Sequence, residues 1–125
     1  MSLPPSPPAP AGDALSDSAY RSATEALLSS IEATVDRWLQ DDVVDIDSMR
    51  TGGLLELHFP NGSHIVVNTQ PPLHEVWLAA RSGGFHYRSV GGRWCDTKDG
   101  SEFHEVLSRC ASEQSGQPLR FMAPT

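Results

Sequence analysis

A chain of 125 residues has room for one compact domain and little more. Its 16 Asp and Glu outweigh 9 Lys and Arg, giving a formal charge of −7, so a phosphate backbone meets no basic surface and nucleic acid is excluded as a partner. No run reaches the ~18 to 20 apolar residues that cross a bilayer, and the first residues lack the basic start and apolar stretch of a signal peptide. Cys95 and Cys110 show no metal or redox spacing. The expectation is a cytoplasmic protein with reduced thiols and no membrane contact.

Residues 1–15 hold Pro4, Pro5, Pro7, Pro8 and Pro10 among small residues and read as a disordered, Pro-rich N-terminal tail. No Arg or Lys flanks these prolines to anchor them in an SH3-like groove. Residues 16–122 are then expected to form a single domain.

Tyr20, Ala23, Leu27, Ile31, Val35 and Trp38 recur at spacings of three and four. That pattern predicts a helix from Ser16 to Leu39, about 36 Å long, with Ser16 or Asp17 as its N-cap. The apolar side chains fill an arc of about 120°, with Glu25, Glu32 and Asp36 on the far side. After Asp41 and Asp42 the period becomes two, as Val44, Ile46 and Ser48 alternate with Asp45, Asp47 and Met49, which predicts a strand with acids on one face.

Gly52-Gly53 turns the chain into Leu55, Leu57 and Phe59, alternating with Glu56 and His58, and Asn61-Gly62 leads back through His64 to Asn68. A two-residue turn would place the leucines on one face with His64, Val66 and Asn68. A three-residue loop with Gly62 in the left-handed region pairs them with Ile65 and Val67, and hydrophobic matching selects this second register.

Beyond Pro71-Pro72, Glu75 to Ala80 predicts a strand with Val76, Leu78 and Ala80 inward and Glu75 and Trp77 outward. Turns at Gly83-Gly84 and Gly91-Gly92 bound a short strand from Phe85 to Arg88, and Arg93 to Asp96 forms a last one. Asp99 is the expected cap of a second helix that faces inward through Phe103, Val106, Leu107, Cys110 and Gln114 and stops at Gly116. Pro118 to Met122 reads as an extended tail. The fold class is α+β: a two-layer sandwich of two helices on one face of an antiparallel β-sheet.

Catalysis finds little support. There is no nucleophile elbow, no phosphate-binding glycine loop and no H-E-x-x-H motif, and the five histidines are scattered over separate elements, where solvation is their ordinary fate, the alternative being that some approach one another across strands and bind a soft or borderline metal. No catalytic residue is assigned. Between Glu25 and Asp47, by contrast, seven acids stand against Arg37 alone. Carboxylates without thiolates or imidazoles suit hard cations such as Fe³⁺, Mg²⁺, Ca²⁺ or Mn²⁺, held weakly on an open surface, while a solvated face that keeps the protein soluble explains the same charges. The outward sheet face carries Trp77 amid Val66, Asn68 and Gln70, which suits a partner surface unless a loop or the tail covers it.

The run from Phe59 to Ala79 follows the pattern F-x-N-G-S-x-I-x-x-N-x-Q-x-P-x-x-x-x-W-L through Leu78, and it resembles the bacterial frataxin family, the CyaY proteins. Gly83-Gly84-Phe85-His86-Tyr87, Trp94, Asp99-Gly100 and Phe103 agree with it, and the resemblance spans Ser16 to Phe121. It implies a frataxin-like fold and a non-catalytic iron-binding protein of iron-sulfur cluster assembly, donor of iron to the machinery or regulator of its cysteine desulfurase. The implied metal residues are Glu32, Asp36, Asp41, Asp42, Asp45 and Asp47, binding Fe²⁺ or Fe³⁺ weakly; the implied partner residues are Asn68, Gln70 and Trp77. The implied partners are the desulfurase and the iron-sulfur scaffold, met by a monomer. Ferroxidase or iron-storage activity, iron-dependent oligomers and a metal-independent interaction module are the alternatives. Ala33, Thr34, Arg37, Leu39 and Gln40 stand where relatives often carry acids, and Glu75 where many carry glutamine.

Overall fold

The computed structural model describes residues 12–124; most of the expected Pro-rich tail lies outside the described residues. Helix α1 (Asp17–Gln40) starts where Ser16 Oγ accepts the Ala19 N–H at 3.1 Å, which satisfies one orphan donor of the first turn. Its buried side comprises Tyr20, Thr24, Leu27, Leu28, Ile31 and Val35. Just before it, the Asp13 N–H donates to Ser89 O at 2.7 Å and Leu15 packs against the core, so the last residues of the expected tail are part of the folded body.

Six strands follow: β1 (Asp47–Thr51), β2 (Leu54–His58), β3 (His64–Gln70), β4 (Glu75–Ala80), β5 (Gly83–Val90) and β6 (Arg93–Asp96). They form one antiparallel sheet in the order of the chain. The β2–β3 register is the one that hydrophobic matching selects, with Leu55 opposite Val67 and Leu57 opposite Ile65. Phe59 N–H donates to Ser63 O at 2.9 Å across a three-residue loop in which Gly62 takes φ +86°, a value that favours glycine. A one-residue slip would turn both leucines to solvent. At the β1–β2 turn, a Cβ on Gly53 would collide with Thr69 Oγ1, so any larger residue there requires the Thr69 side chain to turn away and give up its hydrogen bond to Gly53 O.

Helix α2 (Phe103–Ser115) lies with α1 on the inner sheet face and buries Phe103, Val106, Leu107, Cys110, Ala111 and Gln114. One continuous core results, built from Leu55, Leu57, Ile65, Val67, Val76, Leu78, Tyr87 and Trp94 of the sheet against these helix residues.

Three local expectations are corrected by pairing geometry. The first strand begins at Asp47 rather than Val44, because β2 ends at His58, Asp47's partner, and Phe59 turns away toward Ser63. Val44 to Ile46 are left without a ladder, although Ile46 is buried. The cap of α2 is Glu102, whose carboxylate accepts the N–H groups of His104 and Glu105, while Asp99 caps the preceding turn through Ser101 N–H. Finally, Pro118 to Met122 is a packed strap. Leu119 and Phe121 are buried, Ser112 Oγ and Ser108 Oγ accept their N–H groups at 2.9 and 2.8 Å, and the Phe121 ring meets Trp38 at 4.8 Å.

Candidate metal ridge and partner surface

The C-terminal end of α1 and the start of β1 gather five exposed aspartates. Asp36 lies in the penultimate turn of α1, Asp41 is its C-cap, Asp42 follows with φ +55°, Asp45 lies in the ladder-free segment and Asp47 opens β1. The reversal that brings helix and strand together is fixed by Asp41 N–H donating to Arg37 O at 2.9 Å and Val43 N–H to Trp38 O at 2.8 Å. Among the described residues, no hydrogen bond or ion pair engages any of these five side chains, and every one offers only oxygen donors. Carboxylates at a helix C-terminus face the negative end of its dipole. The chain therefore keeps them there against local stability.

Glu32, the sixth sequence-predicted metal residue, is placed differently. Arg50 projects from the edge strand β1 toward α1, where its guanidinium bonds Glu32 Oε1 at 2.7 Å and also Glu25 Oε2, with Ser29 Oγ at 3.3 Å. Partial burial works against the Arg50 charge, but the hydrogen bonds it donates to Glu32 and Glu25, with their negative charges, outweigh it and raise its pKa above the ordinary value. Arg50 thus pairs with both carboxylates of the N-terminal part of the acidic stretch and halves its charge, and the unpaired carboxylates of the predicted ridge are confined to Asp36 through Asp47. The sequence count stopped at Asp47 and so left out the cation three residues further on.

On the outward sheet face, Asn68 of β3, Trp77 of β4 and His86 of β5 form one cross-strand row. Trp77 and His86 stack with ring centroids 4.2 Å apart and planes 6° apart. Gln70 lies two pairs further along, on the same face and opposite Glu75, and is half-buried. Glu75 was expected merely to face outward; it is only 4% exposed. Its carboxylate accepts Trp77 Nε1–H at 2.9 Å and Arg88 Nε–H at 2.7 Å, so the indole is clamped at its polar edge while its π-face is covered by His86. From the inner side, the Tyr20 hydroxyl donates to Glu75 O at 2.6 Å and accepts Gln70 N–H at 3.0 Å, tying α1 to the same β3–β4 junction.

Neither surface is a pocket. Beside Trp77 lies a shallow depression of about 220 Å³, lined by Val66, Asn68, Phe85 and His86. The largest cleft, about 570 Å³ between α1 and the Gly52-Gly53 turn, is lined by none of the sequence-predicted site residues. Among the described residues, no group of three His, Cys, Asp or Glu side chains converges on a metal-sized point, and no helix is long and apolar enough to cross a membrane.

Comparison with known proteins fits this arrangement. A family model described as a frataxin-like domain matches residues 13–117. The chain belongs to the frataxin family. Among curated frataxin relatives, the iron-sulfur cluster assembly protein CyaY of Polaromonas sp. is 51% identical over 110 residues, covering 88% of this chain and 95% of the relative. That of Variovorax paradoxus is 52% identical over 109 residues, covering 87% and 99%. Among solved structures, the frataxin of Psychromonas ingrahamii superposes with a TM-score of 0.77 at 33% identity, over 86% of this chain and 99% of that one. A trimeric yeast frataxin complexed with ferrous iron shares the fold, with a TM-score of 0.60 at 23% identity over 86% and 93% of the two chains.

The frataxin ridge yields a direct stability expectation. Replacing Asp42 by Gly removes a Cβ from left-handed backbone and a charge from the negative end of α1, and should stabilise the fold by about 1 kcal/mol. A urea melt compared with that of the unaltered chain checks it, with an unchanged or lower midpoint counting against the account.

Proposed function

We propose that this chain is a non-catalytic carrier of iron in iron-sulfur cluster assembly, and that it regulates the cysteine desulfurase through the same ridge. The observation that carries the reading is the set of five aspartates, Asp36, Asp41, Asp42, Asp45 and Asp47, left without counter-charge while neighbouring Glu25 and Glu32 are held by Arg50. Hard oxygen donors on an open surface bind Fe²⁺ or Fe³⁺ weakly and release it readily, which suits a cargo ion. The names of the curated relatives support the pathway, and a cytoplasmic setting follows from it. The same charges serve to meet a basic patch on the desulfurase, with the Asn68, Gln70 and Trp77 face turned to the scaffold. Metal and partner then compete for the ridge.

Amide-resolved NMR tests this. Adding Fe²⁺ under anaerobic conditions is expected to broaden the resonances of Asp36 through Asp47 and to spare those of Asn68, Gln70 and Trp77. Adding the desulfurase afterwards should perturb the ridge and displace the metal. Broadening spread evenly over the surface, or absent from the ridge, would remove the carrier reading.

A further inference from the structure

His58 and His64 are the last cross-strand pair of the β2–β3 hairpin, on the sheet face away from the helices. Facing residues of an antiparallel pair hold their Cβ atoms about 4.5–5.5 Å apart. Here the two imidazole rings stand edge to face with centroids 4.3 Å apart. His58 Nε2 is shielded from solvent and has no hydrogen-bond partner. Glu56 Oε1 is 3.9 Å from it, beyond hydrogen-bond length. On the adjoining β1, Asp47 is paired with His58, so one row across three strands reads Asp47, His58, His64.

We propose that His58 and His64 form a binding site for a borderline divalent metal ion, Zn²⁺ above all, with Glu56 as the carboxylate that completes it. Ligands that share a tetrahedral zinc at ordinary bond lengths lie about 3.4 Å apart. Glu56 Oε1 and His58 Nε2 need to close by only about half an ångström to meet that spacing. His64 is exposed and free to turn its ring toward the same point. A bound ion gives the orphaned His58 nitrogen a partner, which nothing else in the fold provides among the described residues. Imidazole donors favour Zn²⁺, Cu²⁺ and their neighbours over hard cations, which separates this site chemically from the all-oxygen ridge. Because three donors do not already converge, the ion itself draws in the third and water fills the fourth position. The affinity is correspondingly modest. The proposal depends on neither iron binding nor desulfurase contact.

The test titrates Zn²⁺ against a chromophoric chelator at about pH 7.5. It uses the full chain and a ridge-neutralised chain with Asp36, Asp41, Asp42 and Asp45 changed to Asn and Asp47 kept because it faces His58, with the imidazole resonances followed by NMR. One equivalent is expected to bind in both, moving the resonances of His58 and His64 and leaving those of His74, His86 and His104 in place. His58→Gln and His64→Gln should each weaken binding by roughly tenfold or more while keeping the wild-type melting temperature. Retained affinity in either folded variant, shifts confined to other histidines, or loss of Zn²⁺ in the ridge-neutralised chain overturns the proposal. Should a variant fold poorly, carbethoxylation of the unaltered chain decides it. Protection of His58 and His64 by Zn²⁺ supports the site, and equal modification with and without metal overturns it.

Discussion

Changing Asp36, Asp41, Asp42, Asp45 and Asp47 together to Asn is expected to weaken desulfurase binding by at least roughly tenfold at low ionic strength and to flatten its dependence on salt. The five side chains are exposed and unpaired among the described residues, so their replacement removes charge without opening the core. Long-range attraction to a basic patch is screened over about 10 Å at 0.1 M salt, so the unaltered chain should lose affinity steeply between low and high salt where the variant does not. The matched control is Glu25→Gln with Glu32→Gln. Those two carboxylates are paired with Arg50, and their loss removes two charges rather than five, so it should flatten the salt slope less than the ridge change does while lowering stability, since it strands a partly buried guanidinium. Calorimetric titration at several salt concentrations separates the outcomes. Equal slopes for the unaltered and ridge-neutralised chains would sink the electrostatic account, even if iron binding were lost.

The second large effect concerns Gln114, a polar residue 3% exposed near the end of α2. Its Oε1 accepts Arg81 N–H at 3.0 Å, and its Nε2 donates to Ser63 Oγ at 3.1 Å and His64 O at 3.0 Å. Its own carbonyl accepts Asn61 Nδ2–H at 2.6 Å. One side chain thus joins the helix end to the β2–β3 loop and to the end of β4. Gln114→Leu keeps roughly the volume but removes the partner of the Arg81 N–H and of the His64 carbonyl, both only partly shielded from water, which costs about 0.5–1.5 kcal/mol for each hydrogen bond lost. The expected loss is therefore about 1–3 kcal/mol, read as a lower urea midpoint with an unchanged slope. A change under about 0.5 kcal/mol would mean that water replaces the amide at both positions.

What was legible in the sequence was whatever depends on near neighbours. The β2–β3 register followed from alternation on both sides of Asn61-Gly62, because period two leaves only two registers and one of them exposes every leucine. The α1 face followed from spacings of three and four, although Thr24 and Leu28, which are buried, were missed. The aspartates from Asp36 to Asp47 were legible as a site because they are close in the chain and the turn keeps them together.

What was not legible depends on partners far along the chain. Arg50 reaches back across 25 and 18 residues to Glu25 and Glu32, and no periodicity encodes that distance. The burial of Glu75 depends on Trp77 and Arg88 closing over it from its own strand and the next. The strap from Leu119 to Phe121 looked like a tail because its hydrogen bonds go to serine hydroxyls of α2, which pattern reading treats as surface.

The Arg50 clamp has a consequence for the molecule as a whole. By pairing with Glu25 and Glu32 and leaving the acids from Asp36 onward unpaired, it halves the charge beside the first half of α1 and concentrates the uncompensated negative charge toward the end of the helix, at Asp36 to Asp47. A cationic surface exerts a torque on such an object before it exerts contact. The protein would therefore turn in solution to meet such a surface with the helix end foremost, an orientation that one arginine outside the open ridge helps to set.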